Sequence, residues 1–546
     1  MELCSRLNYK MFKSGDLVVC LGASMIIKES ALKKGLPKTT ESLCPECKEV
    51  IQAKLYEENG KVMIEKKCKV HGKFKDIYWS DVKMYLRAEK HAYDGVGVSN
   101  PLIPNAKKCP NECGLCQLHL SHTVLANVDL TNRCNLNCPV CFANANQSGV
   151  VFEPTFEQVT EMLKTLRNNR PVPTPSVQFS GGEPTIHPDF FKIVRKAEEL
   201  GFAQIQIASN GLKLGSDDGE FAQKCLDAGV DTVYLQFDGV TDDVYMKTRG
   251  RKLMDIKKKA LENIRKTKPT KMSVCLVPTI VNGINDHQVG DILRFAIEYR
   301  DIVHAVNYQP VSFAGRISQE EREKQRFTLP DLAKRLKEQT NFIDESDMYP
   351  VPCVTPISEF ASVFQNDPKV TFSAHPHCGL ATFLFIEEDG NAIPITRFVK
   401  VDELFSDLYS GAKKMETSRI KSVSKAVEGA KLKLNVSKYI IKEKKPKSLG
   451  RLEDLIEAFW EGGDKKSLSE FTWSTMMVGG MHFQDDYNYD IERVKRCVIH
   501  YATPDGRIIP FCAYNGGPTY RDEVERKYSI PLKEYQEKQK KKEVAA

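Results

Sequence analysis

The chain has no apolar run long enough to cross a bilayer. Nothing in its 546 residues approaches the roughly eighteen apolar positions of a spanning helix. The nearest stretch is Leu17 to Ile27, eleven residues between Asp16 and Lys28. No clear cleavage site follows it, so a signal peptide is not expected, and it reads as a membrane-surface or packing element, or as an extended start. A charge excess of one sign is also missing. The 79 Lys and Arg against 72 Asp and Glu leave +7, too weak and diffuse to argue for nucleic acid. Hydrophobic residues at 41% and charged residues at 28% are ordinary for a chain with a sizeable core. The length predicts roughly two to four domains. Cysteine, by contrast, is abundant at 17. The cysteines fall at ligand-like spacings beside His71 and His377, which favours metal ligation in a reducing compartment over disulfides.

The stretch that organises the rest is Cys134-Asn135-Leu136-Asn137-Cys138-Pro139-Val140-Cys141, after the apolar run Val124 to Leu130. Three thiolates at CxxxCxxC on one loop can hold three irons of a cubane 4Fe-4S cluster. Such a cluster normally takes four thiolates, so one iron is left open. S-adenosylmethionine can chelate an open iron and be cleaved there to an adenosyl radical. The spacing resembles the radical SAM superfamily; the competing reading is a zinc knuckle or scattered buried cysteines. About forty residues on, an alternating strand runs into Ser180-Gly181-Gly182-Glu183-Pro184. Paired glycines let backbone approach a ligand, and Glu183 is expected to hold the cofactor's ammonium.

Apolar runs at Phe202 to Ala208, Thr232 to Phe237, Met272 to Ile280 and Ile302 to Tyr308 follow, separated by helical stretches such as Phe156 to Asn169, Pro188 to Leu200 and Met254 to Thr267. Strands alternating with helices predict parallel βαβ units. The polar residues after the strand ends, Ser209-Asn210 and the Gln236 to Asp238 segment, lie where barrel active sites sit. Gly181, Gly182, Glu183, Pro184, Ser209, Asn210, Gln236, Asp238 and Phe142 are therefore the expected cofactor-binding set. The fold expected is α/β, a partial (β/α)6 barrel over 124–330. Before it come an extension at 1–38, a zinc-ribbon or rubredoxin-like module at 39–100 and an auxiliary-cluster loop at 101–123. A C-terminal auxiliary-cluster domain fills 331–546.

In the module, Cys44, Cys47, Cys68 and His71 form CxxC and CxxH joined by a hairpin with Asn59-Gly60 at its turn. That pattern binds zinc or one iron tetrahedrally, and the role expected is structural. Cys109, Cys113 and Cys116 repeat the CxxxCxxC spacing and predict an auxiliary 4Fe-4S cluster, with His119 or His122 as a candidate fourth ligand or as polar surroundings. Cys353, Cys378, Cys497 and Cys512 are four dispersed cysteines suited to one further cluster; inert burial is the alternative. Cys225 and Cys275 look like core residues of a helix and a strand. Arg316, after Val311, reads either as an anion contact or as a solvated side chain. From Lys413 to Lys447 twelve Lys or Arg stand against three Glu, 12 − 3 = +9, with apolar residues interspersed. Such a segment is a solvated helix face or a site for anionic lipid.

The motifs CPEC…CKVHG, CPNECGLC, LTNRCNLNCPVCF, FSGGEPTIHPDF, QFDG, PVPC and AHPHCG together resemble the archaeal tetraether lipid synthase family of the radical SAM superfamily, from about Thr39 to Tyr520. The resemblance implies joining of archaeal diether lipid tails at their methyl ends, with Cys134, Cys138 and Cys141 holding the radical-generating cluster. It implies S-adenosylmethionine, three 4Fe-4S clusters and one mononuclear iron or zinc as cofactors. Expected partners are diether phospholipids, an anionic membrane touched peripherally from the cytoplasmic side and a low-potential electron donor such as ferredoxin, with no nucleic acid. A long apolar tunnel at the barrel mouth follows from that substrate. The superfamily's usual aromatic before the last cysteine is replaced by Val140, with Phe142 after it. The other readings are a radical SAM methyltransferase, a peptide-modifying enzyme with auxiliary clusters, and, in a different class, a non-catalytic iron–sulfur electron carrier.

Overall fold

Strict alternation in the barrel strands decides which way each residue faces. Val177 and Phe179, Ile205 and Ile207, Val233 and Leu235, and Val274 and Leu276 are buried in one large apolar core with the surrounding helices. The residues between them point to the opposite face of the sheet. The computed structural model describes residues 10–14, 17–21, 30–314, 321–447 and 471–545. Arg316 lies outside them.

Four antiparallel strands form the N-terminal ribbon: β1 (Lys38–Leu43), β2 (Val50–Glu58), β3 (Lys61–Cys68) and β4 (Gly72–Trp79). The β2–β3 hairpin turns at Asn59 and Gly60, both at positive φ (52° and 75°), the backbone that a two-residue turn of this hand requires. Six parallel strands follow in sequence order: β5 (Leu125–Thr131), β6 (Ser176–Gly181), β7 (Gln204–Ser209), β8 (Thr232–Gln236), β9 (Ser273–Val277) and β10 (Val303–Pro310). Helices α1 (Phe156–Arg167), α2 (Phe190–Glu199), α3 (Glu220–Asp227), α4 (Asp242–Arg249), α5 (Met254–Arg265) and α6 (Val289–Glu298) connect or cover them. Thr155 and Gln158 close a capping box at the start of α1. This is the partial (β/α)6 barrel expected, with its N-terminal ribbon. Cys225 and Cys275 are buried in α3 and β9.

The C-terminal part adds to that same sheet. β11 (Gly379–Ile386) runs antiparallel to β12 (Met476–Met481), and β12 pairs in parallel with β10. At the opposite edge β13 (Ile499–Ala502) pairs in parallel with β5 and is covered by β14 (Ile508–Pro510). Neither addition follows from local sequence pattern, because each partner strand lies more than a hundred residues away.

The ribbon is fastened to this C-terminal part. Arg326 bridges Asp76 of β4 at 2.6 Å and Asp485 at 2.5 Å, with all three side chains buried. Lys48, beside the metal-ligand pair, reaches Asp486 at 2.6 Å, and the Tyr78 hydroxyl donates to Asp490 at 2.8 Å. A second apolar core holds helices α7 (Val401–Thr417) and α8 (Lys421–Asn435) through Phe405, Leu408, Met415 and Leu432. The basic segment is thus helical, and Val423, Val427 and Leu434 of α8 face solvent. Residues 17–21 of the N-terminal apolar stretch form a strand paired with 10–14. Among the described residues no helix is long and apolar enough to cross a membrane.

Candidate functional site

The cysteine loop leaves the C-terminal end of β5 and is held from three sides. Asn146 clasps it from within: its Oδ1 accepts the Cys134 N–H at 2.9 Å, and its Nδ2 donates to the carbonyls of Cys134 (2.9 Å) and Leu136 (3.1 Å). Arg249 at the end of α4 donates to the Val140 carbonyl at 2.9 Å and grips Asp238 in a two-pronged pair at 2.5 and 2.9 Å. Burial works against both charges. The pairing nevertheless keeps the Asp238 carboxyl below its ordinary range and the guanidinium above its own. From the third side the Asn210 side chain donates to Asn135 Oδ1 at 2.6 Å and lies 3.8 Å from Cys134 Sγ. Cys134, Cys138 and Cys141 are half-buried at this end of the barrel, and burial pushes the Cys134 thiol up to about 12.

Gly181 and Gly182 differ from expectation in what they approach. A Cβ on either would stand 2.2 Å from a carbonyl oxygen, that of Thr131 or of Arg133. The glycines therefore let the β6 turn press against the start of the cysteine loop, sealed by Gly182 N–H to Thr131 O at 2.7 Å and Glu183 N–H to Arg133 O at 2.9 Å. Glu183 also faces inward. Its carboxylate is 1% exposed and accepts from the Asn210 N–H (2.8 Å), the Ser209 hydroxyl (2.9 Å) and the Thr185 hydroxyl (2.6 Å). Burial pushes its carboxyl up against these three donors. Its carboxylate thus fixes the Ser209-Asn210 turn. Pro184 opens the short helical turn after it, and Pro184 too is buried.

Gln236 is tied to a residue that sequence reasoning missed. Lys257 of α5 is fully buried and donates to Gln236 Oε1 at 2.9 Å and to the Asn210 carbonyl at 2.7 Å. Burial lowers its pKa to about 7. Lys257 and Arg249 lack a local signature, since each lies more than ten residues from its partners in sequence. Phe142, just beyond Cys141, is exposed, with its ring centroid 6.0 Å from that of Phe511. Phe511 in turn stacks on Phe483 at 3.8 Å.

The barrel interior overturns the expected apolar tunnel. The residues alternating with the apolar core on β5, β6, β8 and β10 are Asn127, Gln178, Tyr234, Asn307 and Gln309, among others. Gln178 donates to Asn127 at 2.8 Å, and the amides of Asn307 and Gln309 both donate to the Tyr234 hydroxyl. Burying methylene chains against carboxamides strands their hydrogen-bonding groups, whereas a polar ligand satisfies them. Gln178 Oε1 is buried without a partner.

In the ribbon, Cys44, Cys47, Cys68 and His71 bring their ligand atoms within 4.8 Å of one another. The separations are 3.9 Å for Cys47–Cys68, 3.6 Å for Cys44–His71 and 3.5 Å for Cys68–His71. A tetrahedron of thiolates about 2.3 Å from a metal has edges of about 3.8 Å, so the set fits one ion. Backbone N–H groups of His71 and Val70 lower the Cys68 thiol to about 6, favouring the thiolate that a metal needs.

Cys109, Cys113 and Cys116 line a cavity closed by Val494 and Pro510. Of the two candidates for its fourth ligand, His119 lines this same cavity and His122 does not. His119 Nε2 contacts the Cys497 carbonyl at 2.8 Å and His500 at 3.1 Å, and His122 accepts the Thr371 N–H. The four C-terminal cysteines divide. Cys497 and Cys512 belong to the apolar cluster that also holds Cys109 and Cys113, and Arg493 donates to Cys378 at 3.3 Å. Cys353 packs in the second core with Phe360 and Phe398, so the structure does not gather it with the other three.

Family comparison matches residues 128–296 to the radical SAM superfamily and residues 36–80 to the HMPTM N-terminal zinc ribbon domain. The 7,8-dihydro-6-hydroxymethylpterin dimethyltransferase of Methanocaldococcus jannaschii is 45% identical over 504 residues, 92% of this chain and 97% of that protein. The GTP 3′,8-cyclase of Limosilactobacillus fermentum is 26% identical over 193 residues, 34% of this chain and 54% of that protein. Among solved structures, Streptococcus suis SuiB bound to S-adenosylmethionine is 18% identical, covering 40% of this chain and 47% of that one with a TM-score of 0.31. The expected tetraether lipid synthase is thereby corrected: a relative aligned over 92% of this chain is a pterin dimethyltransferase, and the ribbon matches the HMPTM zinc ribbon.

Proposed function

The chain belongs to the radical SAM family of the 7,8-dihydro-6-hydroxymethylpterin dimethyltransferase, and from that membership we propose that it is a methyltransferase acting on a reduced pterin. The observation that carries the reading is 45% identity across 97% of that relative's length. The barrel interior supports it. A pterin presents alternating hydrogen-bond donors and acceptors on a flat ring, and the amides of Asn127, Gln178, Gln236 and Asn307 offer the complementary groups.

A radical SAM enzyme takes S-adenosylmethionine and a 4Fe-4S cluster, and Cys134, Cys138 and Cys141 are the residues that would hold the cluster. When bound, the pair supplies an adenosyl radical able to attack a carbon that offers no acid. The chain's own work is placement. Asn146 and Arg249 fix the thiol loop, Glu183 fixes the Ser209-Asn210 turn beside it, and Lys257 locks that turn to Gln236. Phe142 and Phe511 flank the opening with flat apolar faces suited to a heterocycle.

Auxiliary clusters at Cys109, Cys113 and Cys116 and at the Cys378, Cys497 and Cys512 group, together with zinc or iron in the ribbon, complete the reading. A low-potential donor such as ferredoxin supplies electrons. The exposed Val423, Val427 and Leu434 among the lysines of α8 support peripheral contact with anionic membrane, read out by co-sedimentation with anionic vesicles.

The test is anaerobic incubation of the purified protein with a reduced pterin, S-adenosylmethionine and reductant, followed by mass spectrometry. The pterin gains the mass of one CH₂ per transfer. An unchanged pterin alongside continued 5′-deoxyadenosine formation refutes the substrate.

A further inference from the structure

We propose that His482 is the fourth ligand of an auxiliary 4Fe-4S cluster held otherwise by Cys378, Cys497 and Cys512. The proposal rests on the reading that this part of the chain carries an auxiliary cluster.

The first observation is register. β11 and β12 pair antiparallel, with Gly379 opposite Met481, and one step further the His482 N–H donates to the Cys378 carbonyl at 3.0 Å. Cys378 and His482 therefore stand directly opposite each other. Opposed residues of an antiparallel pair project to the same side, with Cβ atoms about 5 Å apart.

The second is an unsatisfied side chain. His482 is 1% exposed, yet neither ring nitrogen has a hydrogen-bond partner. Buried polar groups are normally paired, and leaving one unpaired costs about 1–3 kcal/mol. The other buried histidines nearby each engage a ring nitrogen: His119 with Cys497, His122 with Thr371 and His377 with Tyr85. A metal bond satisfies an imidazole nitrogen that nothing else in the site serves.

The third is charge. Arg493 is fully buried, with Nε on Cys378 Sγ at 3.3 Å, Nη2 on the His482 carbonyl and Nη1 unpartnered. Among the described residues no carboxylate pairs with it. Its counter-charge is then the thiolates and the anionic cluster they carry, since an isolated buried cation is strongly disfavoured. The remaining thiols lie close by. Cys512 Sγ accepts the N–H of Gln484, two residues past His482, and Cys497 packs against the same apolar cluster as Cys512.

A neutral imidazole in place of a thiolate leaves the cluster less negative and raises its reduction potential, as histidine does in Rieske centres. The experiment uses the anaerobically purified, cluster-loaded full chain carrying ¹⁵N-histidine, with Cys109, Cys113, Cys116, Cys134, Cys138 and Cys141 replaced by alanine to remove the signals of the other two cluster sites. Pulsed EPR of the reduced protein is expected to show a directly bonded ¹⁵N coupling. His482→Cys is expected to keep its iron and sulfide, lose the coupling and shift its midpoint potential to more negative values. A loaded protein without the coupling, or a coupling that survives in His482→Cys, overturns the ligand assignment alone. Iron and sulfide unchanged in Cys378→Ala and Cys512→Ala remove the cluster from this site and overturn both the premise and the proposal.

Discussion

Glu183 and Asn210 join two loops that the sequence separates by 27 positions: the Asn210 N–H donates to Glu183 Oε2 at 2.8 Å while the Asn210 side chain holds Asn135 of the cysteine loop. The cofactor turn and the cluster loop are thereby one rigid unit. Glu183→Ala leaves the Asn210 N–H and the hydroxyls of Ser209 and Thr185 without their acceptor, with a loss of about 1–3 kcal/mol in stability. Affinity for S-adenosylmethionine is expected to fall with it, and Glu183→Gln, which keeps an acceptor oxygen, loses less. Denaturant unfolding together with cofactor titration measures both. A Glu183→Ala protein with wild-type stability and affinity contradicts the role.

Arg249 gives the second prediction. Its pair with Asp238 is buried on both sides, and its remaining arm holds the Val140 carbonyl inside the cysteine motif. Arg249→Ala strands a buried carboxylate, a change that typically costs about 3–5 kcal/mol. Arg249→Lys keeps the charge and loses the two-pronged geometry. Both variants are expected to lower iron and sulfide recovery at the Cys134 loop, read by analysis against a Cys138→Ala control.

Lys257 gives a pH dependence with a definite sign. Burial lowers its folded-state pKa to about 7 from an ordinary 10.5. Above 10.5 it is neutral in both states and burial is not penalised. Between 10.5 and 7 the unfolded chain binds the proton that the folded chain excludes, so the stability it contributes falls as pH falls and is lost by about pH 7. Lys257→Met removes this dependence. The difference in unfolding free energy, wild type minus variant, is expected to grow from pH 7 to pH 9.5, by on the order of 2–3 kcal/mol. A flat difference contradicts the assignment.

The barrel and the ribbon were legible because their signals are local. Six apolar runs at βα spacing mark β5 to β10, and Asn59-Gly60 with CxxC and CxxH marks the ribbon. The cysteine loop was legible for the same reason. What escaped depends on distant pairings. β12 and β13 complete the two edges of the barrel sheet from beyond residue 475, and their short runs carry no sign of which strand they join. Cys353 shares its proline-flanked setting with Cys512, yet only the packing of Phe360 and Phe398 around it separates it from the other cysteines. The burial of the Glu183 carboxylate was not legible, because a motif fixes position along the chain and not which side of the turn is buried. The lipid tunnel failed on the alternation itself: Asn127, Gln178, Tyr234 and Asn307 occupy the interior parity of their strands.

The ribbon metal yields the fourth prediction. Binding at a closed four-ligand site is folding free energy, with apparent values of about 10 kcal/mol or more in zinc-finger peptides. Removing it with a chelator is expected to speed amide exchange most in β1 to β4 and less in the barrel strands, because the metal ties ribbon residues alone, while Leu55, Val62, Ile64 and Trp79 share one apolar core with the barrel. Exchange rates in β1 to β4 that ignore the chelator contradict a structural metal.

The central claim is that the Cys134 loop drives methylation of a reduced pterin. Its most direct test measures 5′-deoxyadenosine and methylated pterin together in anaerobic reactions of the wild type and of Cys138→Ala. The account predicts both products from the wild type and neither from the variant. Pterin methylated equally well by Cys138→Ala, or 5′-deoxyadenosine released by the wild type while the pterin keeps its mass, contradicts it.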